Sequence, residues 1–300
     1  MKIIVTHISP DWDAISSVWL IKKFLAGWQD AKVEFVPAGQ RIAGSRDEIM
    51  TSVDPIEKIG DNEVIHVDTG LGPLDHHQLQ DTNVCAASRT WDYVREQIKK
   101  TGTAVNPQHE EAVSRLIKIV VDTDHFKEVF WADPAADYHE FSLLGLMEGL
   151  KYVKQNQDNF YLEFGIQCLE ALAAEFENRI WAEKEIAEKG IKFETRYGKG
   201  IGFETLNDTV LKLSQKMGYV LVVRKDPRKG YIRIKTLPDI DGKKGADLTL
   251  AYEQLKKIDP DATWFLHVSK KMLLNGTPKN PKMVPTKLPL VDIIKVLEKI

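Results

Sequence analysis

Short apolar runs alternating with helical patterns constrain this 300-residue chain more than any other feature. Residues 2–5, 32–37 and 63–67 have the length and β-branched content of buried strands. Between and after them, apolar residues recur at helical spacing. Ile15, Val18, Trp19, Ile21 and Leu25 do so over residues 14–26, and similar patterns follow at 88–100 and 110–120. Strands alternating with helices imply an α/β fold, a parallel sheet with helices on both faces. Residues 158–189 read as one long helix, with Phe160, Phe164, Leu169, Leu172, Phe176 and Ile180 at apolar positions and Gly190 as its stop. Beyond Gly190 the pattern restarts. Strands are expected at 191–197, 219–224, 231–235 and 262–268, and helices at 206–217, 247–257 and 289–300. The expected architecture is a parallel-sheet N-terminal domain (1–157), a connector helix (158–189) and a smaller α/β C-terminal domain (190–300).

Composition limits the function classes. No apolar run approaches the roughly 20 residues that span a bilayer, and residues 1–5 are too short an apolar block for a signal peptide. Cys85 and Cys168 lack a CxxC spacing, so neither a disulfide framework nor a thiolate zinc site is expected, and the cytoplasm is the expected compartment. The net charge of −3 hides an asymmetry. Residues 1–189 carry 19 Lys and Arg against 32 Asp and Glu, a net of −13. Residues 190–300 carry 22 against 12, a net of +10. Two such halves can simply attract each other; alternatively, the acidic half holds metal cations and the basic half a polyanion.

Each apolar run of the first domain that leads into a polar loop brings cation-binding side chains with it. The first is followed by His7-Ile8-Ser9-Pro10-Asp11-Trp12-Asp13-Ala14. Ligands of parallel α/β sheets gather outside the carboxyl ends of the strands, where His7, Asp11 and Asp13 would fall. Capping of a helix that starts at Ala14 is the plain alternative for Asp11 or Asp13, and it accounts for only one of the two. The run 64–67 ends in Asp68, and Asp75-His76-His77 follows within ten residues. Adjacent imidazoles beside an acid are awkward in a fold unless something cationic uses their lone pairs. A third apolar run, 119–121, ends in Asp122, and Asp124 and His125 either extend that motif or are solvated. Singly, each acid reads as structural; jointly they predict a metal site. Carboxylate and imidazole ligands without thiolate favour octahedral Mn²⁺ or Mg²⁺ over tetrahedral zinc.

The ordered set His-x-x-Pro-Asp-x-Asp-Ala, Val-Asp, Asp-His-His and Asp-Thr resembles the four motifs of the DHH phosphoesterase superfamily, over residues 1–130. That superfamily includes manganese-dependent inorganic pyrophosphatases, exonucleases, oligoribonucleases and cyclic-dinucleotide phosphodiesterases. The resemblance implies that His7, Asp11, Asp13, Asp68, His76 and Asp122 ligate two Mn²⁺ ions, with Mg²⁺ or Co²⁺ as substitutes, and that Asp68 bridges them. It also implies that Asp75 orients the adjacent histidine, while His77 faces the substrate phosphate or joins the ligand set. Trp12 stands where the family usually has a small residue, either as packing or as an aromatic wall for a base or sugar.

In the second domain, Trp264-Phe265-Leu266-His267-Val268-Ser269-Lys270-Lys271 leads into a turn-rich basic stretch, 273–282. His267, Lys270, Lys271 and the amides around Asn275-Gly276 are candidate phosphate contacts; a solvated basic hairpin is the alternative. Arg224, Arg228, Lys229, Arg233 and Lys235 read as a solvated charged face. The Gly-Gly-Gly-His signature of many DHH proteins is missing. The late Phe-x-His strand end is similar, more loosely, to that of the melanocyte-proliferating-gene family of DHH-like exonucleases. The expected function is a metal-dependent phosphohydrolase that cleaves a phosphodiester or phosphoanhydride in a short oligonucleotide or nucleotide. Its partner would be a phosphorylated small molecule or short nucleic acid, not a membrane, and a homo-oligomer is compatible with it. A manganese pyrophosphatase and a non-catalytic nucleotide- or metal-binding regulator are the alternatives.

Overall fold

The computed structural model describes residues 1–45, 54–102, 106–240, 242, 244–277 and 279–300, so Pro278 of the basic stretch lies outside the described residues. The chain is mixed α/β with two sheets. It divides into two compact units, Met1–Glu177 and Asn178–Ile300, with the boundary inside the helix expected as a connector.

The first unit contains β1 (Lys2–His7), α1 (Trp12–Phe24), β2 (Lys32–Val36), β3 (Ile56–Ile59) and β4 (Asn62–His66). They are followed by α2 (Ala86–Thr101), α3 (Pro107–Asp124), α4 (Leu143–Val153) and most of α5 (Asp158–Glu188). The strand order is β2-β1-β4-β3. Central β1 runs parallel to both β2 and β4, and β3 closes one edge antiparallel to β4. The chain leaves β1 toward β2 and returns at β4 on the other side, which opens a crevice at the carboxyl ends of β1 and β4.

Strand alternation divides the apolar residues between two faces. Ile4 and Ile65 join the core formed with α1, α2, α3, α4 and α5. Ile3, Val5 and Val64 form a second cluster with Val36, Ile42 and Ile59. Among the described residues, helices pack on the face that carries Ile4 and Ile65. An all-apolar strand signals burial on two sides; it does not say whether a helix or a loop supplies the cover.

Helix α1 begins where the Asp11 side chain accepts the amides of Asp13 and Ala14. Ala14, Ser16 and Ser17 are fully buried, and their small side chains permit close packing. On the facing helix, a Cβ at Gly165 would stand 2.7 Å from Ile15 Cγ2. Asn106 caps α3, with Pro107 in its first turn. This helix runs on to Asp124, so Asp122 does not end a strand. Residues 119–121 are β-branched, yet Val120 and Val121 continue the helical face of Val113, Leu116 and Ile117 into the core.

The second unit has β5 (Ile191–Thr195), β6 (Gly198–Glu204), α6 (Thr209–Lys216), β7 (Leu221–Lys225) and β8 (Ile232–Thr236). It continues through α7 (Thr249–Ile258), β9 (Trp264–Leu266), β10 (Met272–Asn275) and α8 (Leu290–Leu297). The sheet order is β5-β6-β7-β8-β10-β9, with β6 and β7 parallel and the other neighbours antiparallel. One face carries α7 and α8, and the other carries α6 with the end of α5. Strand β6 has three glycines and too few side chains to show an alternation, and β10 lies inside the turn-rich stretch. Neither strand was expected from the sequence. Among the described residues, no helix is long and apolar enough to cross a membrane.

Candidate metal centre

Asp68 is the hub of the crevice beside β1 and β4. It is buried, and its backbone is left-handed at φ +52°, a conformation that costs a non-glycine residue roughly 1–2 kcal/mol. Its carboxylate stands between two groups of side chains. Oδ2 lies 3.2 Å from His7 Nε2, while Oδ1 lies 3.7 Å from His76 Nε2 and 3.8 Å from His77 Nδ1. His7 Nε2 is also 4.0 Å from Asp11 Oδ1. The turn after Asp68 is braced from outside the site. Arg41 donates to the Gly70 carbonyl at 3.0 Å and pairs with buried Glu57, and the Thr69 hydroxyl donates to the Gln40 carbonyl. His66 accepts the Ile42 amide at Nε2; burial and the Arg41 charge hold its imidazole down to about 4, so it is neutral.

Asp13 enters from the first turn of α1. Its carboxylate accepts the amides of Ala86 at 2.8 Å and Ala87 at 2.6 Å. These opening amides of α2 have no partner within their own helix, and the positive helix end favours an anion. Methyl side chains at 86 and 87 allow this close approach. Asp13 Oδ2 then lies 3.5 Å from His76 Nε2, and the same nitrogen lies 3.5 Å from Asp124 Oδ2.

Asp75 has a different task. It is fully buried and accepts the amides of Leu71, His76 and His77. It also accepts His77 Nδ1 at 2.7 Å. Burial alone would push its carboxyl up, but the hydrogen bonds from His77 and Leu71 outweigh that and hold it below the usual range. Asp75 is thus an ionised anchor that fixes the His77 ring through Nδ1. That ring is 58% exposed, which leaves Nε2 for a ligand.

Burial and crowded carboxylates dominate the electrostatics of the cluster. Burial, then Asp68 and Asp124, push Asp13 well above the carboxylate range. Burial, then Asp11, Asp75 and Asp124, do the same to Asp68. Burial and Asp11 raise Asp124 to about 6. Burial and neighbouring His77 lower His76. Asp68 Oδ1, His76 Nε2 and Asp124 Oδ2 are buried without a hydrogen-bond partner, although leaving such an atom unpaired costs roughly 1–3 kcal/mol. The two carboxylate oxygens lie 3.7 and 3.5 Å from that nitrogen. Three overlapping groups result among the described residues, His7–Asp11–Asp68, Asp68–His76–His77 and His76–Asp124–His125, each with its ligand atoms within 4.8 Å of one another. Asp68 faces His7 and His76 with different oxygens. Oxygen and imidazole donors in this number fit a divalent cation of the Mn²⁺ or Mg²⁺ type.

Of the residues singled out in the sequence, His7, Asp11, Asp13, Asp68, Asp75, His76 and His77 come together. Asp11 also caps α1, so both readings of it hold. Asp122 does not join them. Its carboxylate pairs with Lys127 at 3.4 Å and lines a separate pocket with Ser88, Arg95 and Lys118. Asp124 instead lies beside His76, and His125 stands alongside, with Nε2 donating to the Val84 carbonyl and its ring 5.8 Å from that of His76. Helical spacing carried this distinction. Asp124 follows Ile117 and Val120 on the buried face, whereas Asp122 follows exposed Lys118. Trp12 packs against the core.

The second-unit candidates fare differently. Asn275 is fully buried; its amide donates to the carbonyls of Thr263 and Val284, and its oxygen accepts the Thr286 amide at 2.6 Å. Gly276 has φ +78°, and a Cβ there would fall 2.0 Å from the Tyr231 ring. The Asn275 side chain thus braces the fold, and its polar atoms are already used. Lys271 donates to the Gly245 carbonyl and pairs with Asp239 at 2.8 Å. Lys270 pairs with Asp247 at 3.4 Å, and His267 bonds the Ser269 hydroxyl. Arg224 and Arg233 both pair with Asp208. Compared with models of known protein families and with curated proteins, the chain matches none.

Proposed function

We propose that the protein is a metal-dependent phosphohydrolase with a DHH-type metal-binding domain, cleaving a phosphodiester or phosphoanhydride in a nucleotide or short oligonucleotide. The observation that carries this reading is that carboxylate oxygens of Asp13, Asp68 and Asp124 lie 3.5, 3.7 and 3.5 Å from His76 Nε2, with the Asp68 and Asp124 oxygens and that nitrogen buried and unpartnered. The cations expected are two Mn²⁺, held by His7, Asp11, Asp13, Asp68, His76 and Asp124, with Asp68 shared. When bound, such a pair neutralises phosphoryl charge and lowers the pKa of a shared water.

The chain's own groups supply orientation and proton handling. Asp13 is fixed by two α2 amides, so its second shell of contacts does not depend on mobile side chains. Asp75 holds the His77 ring in one orientation, and His77 Nε2 is the group placed to contact a phosphoryl oxygen or to pass a proton to the leaving group. The expected compartment is the cytoplasm, where Cys85 and Cys168 persist as free thiols.

A second reading keeps the metals and a nucleotide but not turnover. It is favoured by the internal hydrogen bonds of the Asn275 and Lys271 side chains, two of the expected substrate contacts. A panel of pyrophosphate, cyclic dinucleotides, dinucleotides and single-stranded DNA and RNA, supplemented with Mn²⁺, decides between them. Hydrolysis that is lost in Asp75→Asn supports the enzyme. Nucleotide binding without product supports the second reading, and hydrolysis that persists in Asp68→Asn sinks the proposed centre.

A further inference from the structure

The loop that supplies His7 and Asp11 also walls a second space. Ile8 and Ser9 line a pocket of about 400 Å³ with Lys151, Gln155, Asn156 and Asp158, and Tyr161 completes the lining. The pocket and the cation ligands are joined through the same backbone. His7 Nδ1 bonds the Ile8 carbonyl at 2.9 Å, and the Ser9 amide donates to Asp158 Oδ1 at 2.8 Å. Two non-glycine residues of this wall are left-handed, Ser9 at φ +54° and Asn156 at φ +56°. Such strain persists only where the surroundings hold it; for Ser9 the bond to Asp158 does so.

The chemistry of the lining is selective. It contains one ammonium, Lys151, and one carboxylate, Asp158, so its charge is balanced. Asp158 lies in the first turn of α5, where it already answers the positive end of that helix. A second phosphate would meet that carboxylate. The amides of Gln155 and Asn156 offer donors and acceptors without charge, and Ile8, half-exposed, offers an apolar wall. Amides beside an apolar surface suit a flat or puckered ring with a hydrogen-bonding edge.

We propose that this pocket receives the neutral, hydrogen-bonding part of the substrate, of nucleoside class, while the phosphoryl group sits at the Asp68 cluster. The proposal rests on the phosphohydrolase reading and deepens it: a nucleotide fills both places, whereas pyrophosphate has nothing to put beside Gln155 and Asn156.

Calorimetry on the full chain loaded with Mn²⁺, using adenosine 5′-monophosphate and inorganic phosphate as probes, tests it. The nucleotide binds at least about tenfold tighter than phosphate, a difference of about 1.4 kcal/mol. Gln155→Ala and Asn156→Gly remove that advantage and leave phosphate affinity unchanged. Asn156→Gly retains the left-handed backbone, so its loss reports the amide and not a collapsed turn. Equal affinities for the two probes overturn the proposal, as does an advantage that survives both substitutions. Pyrophosphate that outbinds the nucleotide and weakens in Lys151→Gln also overturns it, by showing an anion subsite instead. Should Mn²⁺ titration show no bound metal, the phosphohydrolase reading falls by itself. Adenosine alone, titrated without metal, then still reads the pocket: binding that Gln155→Ala abolishes upholds it, and no binding removes it.

Discussion

Nε2 of His76 stands 3.5 Å from Oδ2 of Asp124, and neither atom has a hydrogen-bond partner. That geometry suits a shared cation, so in the proposed centre Asp124 is a ligand and Asp122, paired with Lys127, is not. Asp124→Ala is expected to weaken Mn²⁺ binding by about 10–100-fold, whereas Asp122→Ala leaves it unchanged. Titration followed by electron paramagnetic resonance reads both. The reverse pattern would restore Asp122 to the ligand set.

Acidity offers an independent check. The folded chain raises Asp124 to about 6, first through burial and then through Asp11, and it raises Asp13 and Asp68 as well. A carboxyl whose folded pKa exceeds its unfolded value binds its proton more tightly in the fold. Its stabilising contribution is thus complete below the unfolded value, about 4, and is lost as pH rises through the folded value. Metal-free protein should lose thermal stability between about pH 4 and pH 7 from these groups, with a shallower loss in Asp124→Asn. Mn²⁺ acts in the opposite sense, because binding needs the deprotonated carboxylates. Its stabilising effect should grow over the same interval. Melting curves of chelator-treated and Mn²⁺-loaded protein measure both trends; a slope identical in wild type and Asp124→Asn would remove Asp124 from this account.

How far the sequence carried the site depended on which period governed each segment. His7, Asp68 and the Asp75-His76-His77 run follow the ends of strands, where a short apolar run stops abruptly and its ligands are adjacent in sequence. Asp124 escaped because residues 119–121 are β-branched and read like a strand, while the core they join belongs to a helix. The Ala86–Ala87 amides that hold Asp13 left no trace, since a backbone donor has no sequence signature beyond the small side chains that admit a neighbour. In the second unit, Asn275-Gly276 looked like an exposed turn. Burial of the asparagine came from contacts with Thr263, Val284 and Thr286, which are remote in sequence or unremarkable in type.

His77 and Asp75 should separate catalysis from metal binding. His77 Nδ1 is tied to Asp75 at 2.7 Å, so the ring is positioned for proton transfer or phosphoryl contact through Nε2. His77→Gln is expected to lower kcat by about 10²–10⁴-fold with Mn²⁺ affinity little changed. Asp75→Asn should act through the same ring, because an amide no longer fixes Nδ1 as the carboxylate does. Parallel loss of metal and activity in His77→Gln would instead make His77 a ligand.

Asn275 and Gly276 give the last test, of structure against a binding role. Removing the buried amide in Asn275→Ala takes the acceptor from the Thr286 amide and the Asn275 donor from the Thr263 carbonyl, while the Val284 carbonyl keeps the Thr263 amide; the expected loss is about 1–3 kcal/mol. Gly276→Ala would place a Cβ 2.0 Å from the Tyr231 ring at φ +78° and is expected to destabilise more, since backbone strain and overlap add. Folded Asn275→Ala should bind phosphate and nucleotide as wild type does. Denaturant unfolding beside calorimetry distinguishes the outcomes: wild-type stability with weakened phosphate binding would return these residues to the substrate.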